Sequence, residues 1–394
     1  MRVVMAVGPF ADPLEGQQAL TGLARGWRRQ AGHDTVTARL LSDGGPGFLT
    51  ALGAALTPGP DAAGGPPAEA PAAEPAAEAE RSALETPLPA PPQAVVVTGP
   101  TGDPVPAEML LRDHRNGAGR TAYLEAAHAA GRHLVGPDRL ADPGALTSRG
   151  VGELVAAARD AGATRIVVGV GDLACHDGGL GLLQALGAGA DLADLEAVRE
   201  DLLGTELVLA AATELPLLGF HGASAALGSE HGVDPVTTQE LEQRTGRLVE
   251  RVSAVLPPRH DLLTGRRLRP EREPSAGVGG GVGYGLLLLG ARRVPGARLV
   301  LEAAGLPALL RGSLVVIGTP SYDWRSVHEG VVPEVAHAAL DAAAPTVVLA
   351  RSVEVGRREG MSLGVSGSYG ARDGEDWEDL AARVARTWSP PPRG

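Results

Sequence analysis

The stretch Ile166 to Gly187, IVVGVGDLACHDGGLGLLQALG, decides how the rest of the chain is read. Its β-branched run Ile166, Val167 and Val168 predicts a buried strand, and from Leu180 the apolar spacing becomes helical. Between them lies a glycine-rich turn carrying Cys175, His176 and Asp177. Strand, polar turn and helix in that order build anion and metal sites in α/β proteins: the turn frees backbone N–H groups, the helix start adds positive potential, and a carboxylate there can hold Mg²⁺ or take a proton. The same pattern also serves plain chain reversal, with Asp177 as turn former or helix cap, and pattern alone leans that way. Cys175 and His176 have no second Cys or His at ligand spacing, so they make no metal site by themselves.

Working outward, 394 residues exceed what one core usually serves, which predicts two domains. Aromatics make up only 3% of the chain, so its cores must be built from Ala, Val and Leu, as suits parallel sheets under Ala-rich helices. The formal net charge is −12 and there is no lysine, which argues against a basic nucleic-acid surface and leaves arginine as the only fixed side-chain cation. One cysteine excludes an intramolecular disulfide. The opening MRVVMAVGPF is too short an apolar run for a secretory signal, and no stretch approaches a membrane span, so a soluble cytoplasmic protein is expected.

Arg2 to Val7 predicts a first buried strand, Gln17 to Arg29 a helix with Leu20, Leu23 and Trp27 on one face, and Thr35 to Leu41 a second strand. That strand runs into Ser42 to Gly47, SDGGPG, a second acidic glycine turn in which Asp43 reads evenly as turn former or functional residue. Residues 58–92 are dominated by Ala, Pro and Glu and are expected to be a disordered insertion. Strands follow at Gln93 to Thr98, Val105 to Leu111 and Thr121 to Ala126, then a helix at Val151 to Ala161. Beyond the central turn come a strand at Glu206 to Ala212 and an amphipathic helix at Pro235 to Leu256.

Ala276 to Gly285, AGVGGGVGYG, never meets the G-x-G-x-x-G spacing and follows no strand, which sets aside a dinucleotide fingerprint. It reads as a glycine-rich helix start or packing face, able to approach a phosphate. Strands are expected at Leu299 to Glu302, at Leu314 to Ile317 and, last, at Pro345 to Ala350, before a closing helix at Trp377 to Trp388. Asp323 is a third acidic residue in a loop after a strand. The expected fold is α/β: a doubly wound, Rossmann or flavodoxin-like domain from residues 1–57 and 286–390, with a second α/β domain, 93–285, inserted. That arrangement would set the turns at Asp43, Asp177 and Asp323 around a cleft.

These pieces, in this order, resemble the bacterial glycerate kinase family. The resemblance spans the chain outside the insertion and rests on Pro9-Phe10, SDGG at Ser42 to Gly45, AEMLLRD at Ala107 to Asp113, AYLE at Ala122 to Glu125, TSRGVGEL at Thr147 to Leu154, DGG-x-G-x-LQALG at Asp177 to Gly187, GASAALG at Gly222 to Gly228, and AGVGGGVG at Ala276 to Gly283. The departures are specific. The family's first-loop Asp-Ser-Phe-Lys-Gly reads Gly8-Pro9-Phe10-Ala11-Asp12; Pro46 replaces a Glu; the central turn loses its small hydroxyl residues and Asn; and the late Gly-Glu-Gly-Arg-x-Asp pattern keeps only Gly318 and Asp323.

The resemblance implies ATP-dependent phosphorylation of glycerate with Mg²⁺. Asp177 and Asp323 would be catalytic or metal ligands and Asp43 a helper. His176, Gly178, Gly179, Ser224, Gly279, Gly280, Gly281, Arg149 and Arg325 would bind substrate or phosphate. The alternative is a member that keeps the fold without the chemistry and binds a ligand or a protein, because codon bias explains Lys becoming Arg but not Lys becoming Ala11.

Overall fold

A computed structural model gives the architecture and describes residues 1–56, 91–114, 117, 119–258, 260 and 263–389. All of the Pro/Ala/Glu-rich segment except residues 91 and 92 lies outside the described residues.

The chain divides into two units, one of Met1–Leu88 with Gly296–Gly394 and the other of Pro89–Pro295. The first holds a five-stranded sheet of β1 (Arg2–Val7), β2 (Thr35–Leu40), β9 (Ser313–Tyr322), β10 (Thr346–Val353) and β11 (Val365–Gly370), ordered β11-β10-β9-β1-β2. Every pairing is parallel. Parallel strands need covered faces, and the alternation of the pleat supplies two. Val3, Met5, Val7, Leu314, Val316, Val347 and Leu349 join one core with the helices Pro13–Gln30 and Trp377–Trp388. The intervening Val4, Ala6, Val315, Ile317, Val348 and Ala350 are buried too. The helix Val331–Asp341, which contacts β9 and β10, and the helices Phe48–Leu56 and Gly296–Ala303 make the second layer. This is a doubly wound sheet.

The second unit holds β3 (Gln93–Thr98), β4 (Pro104–Asp113), β5 (Arg120–Glu125), β6 (Arg165–Val170), β7 (Glu206–Ala211) and β8 (Arg292–Pro295), in that order across the sheet. β3, β4 and β5 pair antiparallel; β5 to β8 run parallel. All six residues of β6 are buried: the run from Ile166 to Val170 is apolar, as a strand covered on both faces requires, and Arg165 is paired to Glu206 at 3.1 Å.

Three expectations change. Leu299 to Glu302 lies in the helix Gly296–Ala303, where Leu299, Val300 and Leu301 are all buried; a three-residue apolar run carries no period of its own. Pro345 to Ala350 is not the last strand, because β11 follows, and its Gly and Ser content hides it. The units divide at Pro295/Gly296 rather than at 285/286, since the helix Val278–Leu288 and the edge strand β8 belong to the Pro89–Pro295 unit.

Candidate active site

In open α/β sheets, ligands gather beyond the carboxyl ends of the parallel strands. In the Pro89–Pro295 unit, the loops leaving β5, β6 and β7 are laced together there. The Ala174 N–H donates to the Ala130 carbonyl at 2.8 Å and the His176 N–H to that of Pro143 at 3.0 Å. Asp177 is the central rivet. Its Oδ2 accepts from the Ser148 N–H (2.9 Å), the Ser148 hydroxyl (2.9 Å) and the Gly181 N–H (3.0 Å), while Oδ1 accepts, among the described residues, only from the Gly179 N–H (3.0 Å). Ser148 Oγ in turn accepts from the Leu182 N–H at 3.0 Å. The carboxylate thus joins the start of the helix Arg149–Asp160 to the start of the helix Leu180–Ala185.

The two glycine stretches meet backbone to backbone. The Gly178 N–H donates to the Gly280 carbonyl at 3.0 Å. Gly279, Gly280 and Gly281 have φ of 60°, 62° and 95°, inside a helix that starts at Val278. A Cβ on Gly280 would overlap the Cys175 carbonyl, and one on Gly281 would strike Gly178. These glycines let the two stretches interlock at backbone distance.

His176 is 2% exposed and Ser224 1%, and the ring Nε2 lies 3.0 Å from the Ser224 hydroxyl. Its Nδ1 is buried with no hydrogen-bond partner among the described residues. Burial, aided by the positive charge of Arg244, lowers His176 to about 4, so the ring is neutral at physiological pH. Cys175 is buried and its thiol is pushed well up, first by burial and then by Asp177, so it is no ready nucleophile. Arg149 is half exposed, and its Nε donates to Glu153 Oε1 at 3.0 Å.

In the other unit, Asp43 follows β2 and Asp323 follows β9, and β1 alone separates those strands. Asp43 Oδ1 accepts from the Gly45 N–H at 3.0 Å, an Asx turn. Asp323 caps the helix Trp324–His328: Oδ1 accepts from the Arg325 and Ser326 N–H groups, both at 3.0 Å, and Oδ2 from the Ser321 hydroxyl at 2.9 Å. Burial would raise this carboxyl, but the bonds from Ser326, Ser321 and Arg325 together hold it below the usual range. Arg325 enters this turn through its backbone N–H.

The structure therefore brings together His176 with Ser224, Gly178 and Gly179 with Gly280 and Gly281, and Asp177 with the residue before Arg149. Sequence reasoning missed two participants. Ser148 was legible as a hydroxyl just ahead of a helix, whereas Arg244, on the helix Pro235–Val255, carried no signal. Among the described residues no group of three His, Cys, Asp or Glu could hold a metal, and no helix is long and apolar enough to cross a membrane. Magnesium arriving on a nucleotide needs as little as one carboxylate oxygen from the protein, and Asp323 Oδ2, which accepts a single hydrogen bond among the described residues, fits that demand.

Comparison with known proteins shows the family and the fold. An uncharacterised Mycobacterium bovis protein is 34% identical over 367 residues, 93% of this chain and 82% of its own length. Glycerate 2-kinase of Escherichia coli is 29% identical over 373 residues, 90% of this chain and 86% of its own. Glycerate kinase of Bacillus subtilis is 33% identical over 278 residues, 66% of this chain and 69% of its own. The crystal structure of a Salmonella typhimurium LT2 protein assigned as glycerate kinase 2 shares the fold with a TM-score of 0.62 at 24% identity, covering 98% of both chains. The model of the glycerate kinase family matches residues 82–387, which takes in the turns of both Asp177 and Asp323, and the chain belongs to that family.

Proposed function

We propose that the protein transfers the γ-phosphoryl group of ATP to a hydroxyl of glycerate. The observation that carries this reading is the family match across residues 82–387. Relatives named glycerate kinase and glycerate 2-kinase point to the same acceptor. ATP and its magnesium place this chemistry in the cytoplasm, with a nucleotide and a small hydroxy acid as partners.

Phosphoryl transfer asks a protein mainly for positioning and charge stabilisation. Asp323 is held below the usual carboxyl range, stays ionised and suits a cation. Asp177 Oδ1 is assigned the proton that the glycerate hydroxyl loses, because that oxygen keeps lone-pair capacity while Oδ2 fixes its direction. Bound magnesium would neutralise phosphate charge. With no lysine in the chain, Arg149 and Arg325 are the cations assigned to the phosphates and the glycerate carboxylate. His176, neutral and buried, serves as the hydrogen-bond partner that orients Ser224.

A coupled ADP-release assay with magnesium, ATP and D-glycerate tests this, with the product identified by phosphorus NMR. ADP release that depends on glycerate and yields a phosphoglycerate is the expected result. Folded protein that shows no glycerate-dependent release, and whose melting temperature responds to neither ligand, overturns the reading.

A further inference from the structure

A cavity of about 350 Å³ in the Pro89–Pro295 unit is lined in part by Gly290 and Ala291, which immediately precede β8. It therefore lies toward the amino ends of the parallel strands, away from the turn of Asp177. Its walls are the last turns of the helices Val278–Leu288 and Pro235–Val255, where Val252, Leu256, Leu287 and Leu288 make the lining apolar. A volume of this order suits a small molecule, and such sites combine apolar walls with a few directed polar groups.

The polar groups decide the charge of that molecule. Arg199 is paired to Glu196 at 2.9 Å and Arg293 to Glu214 at 2.8 Å, so neither is a free cation. Glu271, Glu273 and Arg267 line the cavity with no ion pair among the described residues, which leaves the free charge negative. Exposure sharpens that bias. Arg267 stands in a wholly exposed run, 263–269, where water screens it, whereas Glu271 is partly buried and its field reaches further. Tyr284, only 1% exposed, also lines the cavity, and its hydroxyl has no hydrogen-bond partner among the described residues. Burial, followed by the charge of Glu271, raises this phenol, so the hydroxyl and that carboxylate share one end of the cavity. A buried hydroxyl without a partner is costly, and a ligand N–H shared between its oxygen and Glu271 would relieve the cost.

We propose that this cavity binds a small primary ammonium ion with an apolar body, its body on Leu256, Leu287 and Leu288 and its N–H groups on Glu271 and the Tyr284 hydroxyl. The proposal does not depend on the kinase reading. Its test is calorimetric titration of the full chain with phenethylamine, set against the neutral 2-phenylethanol and the anionic 3-phenylpropionate. The expected result is saturable binding of the amine, about tenfold tighter than the alcohol, or about 1.4 kcal/mol, with the carboxylate weaker still. Glu271→Gln, which keeps the shape and removes the charge, should weaken the amine about tenfold and leave the alcohol unchanged. Ser253→Phe, which fills part of the lining, should weaken both. Glu271 has no ion pair and Ser253 is exposed, so both variants should keep the wild-type melting temperature. Amine binding that is absent, unsaturable or unchanged in Glu271→Gln, or an alcohol or carboxylate that binds as tightly, overturns the proposal.

Discussion

Asp177 and Asp323 occupy equivalent places, each in the turn after a parallel strand of its own sheet, yet they hold their surroundings differently. Among the described residues, the Asp323 side chain collects donors only from residues 321–326, and it closes one short helix. Asp177 reaches back to Ser148 and forward to Gly181, joining two helix starts that are far apart in the chain. Asp323 is a local cap and Asp177 a tertiary rivet. A carboxylate of the same type, in the same pattern, thus has a structural cost of removal set by the sequence distance of its partners.

The largest effect is expected at the rivet. Asp177→Ala strands the Ser148 N–H and hydroxyl, and Ser148 is fully buried. Losing several charge-assisted bonds and leaving buried donors unpaired should cost about 3 kcal/mol. Thermal and urea unfolding would read this directly. Asp177→Asn, which keeps one acceptor oxygen for Ser148, should recover about half of that loss, in proportion to the bonds retained. Activity lost in Asp177→Ala alone would therefore report folding as much as chemistry. An unfolding midpoint unchanged in Asp177→Ala would break the comparison.

The next effect belongs to His176, in the same loop as the rivet. Its folded pKa of about 4 lies below the unfolded value near 6.5, so above pH 6.5 both states are neutral and the group contributes no slope. As pH falls from 6.5 toward 4 the unfolded chain takes up a proton that the folded chain refuses. At about 1.4 kcal/mol per pH unit, stability should drop by about 3 kcal/mol across that window. His176→Gln, uncharged throughout and still able to hydrogen-bond Ser224, should remove this component of the acid dependence. An unchanged slope in His176→Gln would place the acid sensitivity elsewhere.

The turn at Asp177 was legible because strand, glycine turn and helix each leave a local mark, and so were β1, β2, β6 and the closing helix. What stayed hidden was tertiary. Nothing in the run Gly277 to Gly285 announces that its glycines exist to let Cys175 and Gly178 approach backbone to backbone, although the reading as a helix packing face was open. Arg244 acts on His176 through space, from a helix whose apolar stripe only announced burial. Leu299 to Glu302 failed for the opposite reason: local apolarity was clear, but only the neighbouring helices Phe48–Leu56 and Val331–Asp341 decide that such a run coils. The segment at 58–92 had no pattern from which a site could be read.

The smallest effect is expected at the cap. Asp323→Ala removes the acceptor for the Arg325 and Ser326 N–H groups, which the short, partly exposed helix can in part offer to water instead, so the cost should be about 1 kcal/mol. Asp323→Ser, a competent cap without charge, should restore most of it. The sign with pH is opposite to a raised group: the carboxyl is held below its unfolded pKa, so its stabilisation is present above the ordinary carboxylate range and fades as pH falls through the lowered value. Wild type should therefore lose this increment in acid while both variants do not. Because Asp323→Ser keeps the cap yet lacks the oxygen assigned to the cation, it separates fold from chemistry at this turn: stability near wild type with glycerate-dependent turnover reduced at least about tenfold is the expected result, a loss of about 1.4 kcal/mol in transition-state stabilisation. A cost at Asp323→Ala as large as that at Asp177→Ala would instead make both turns rivets.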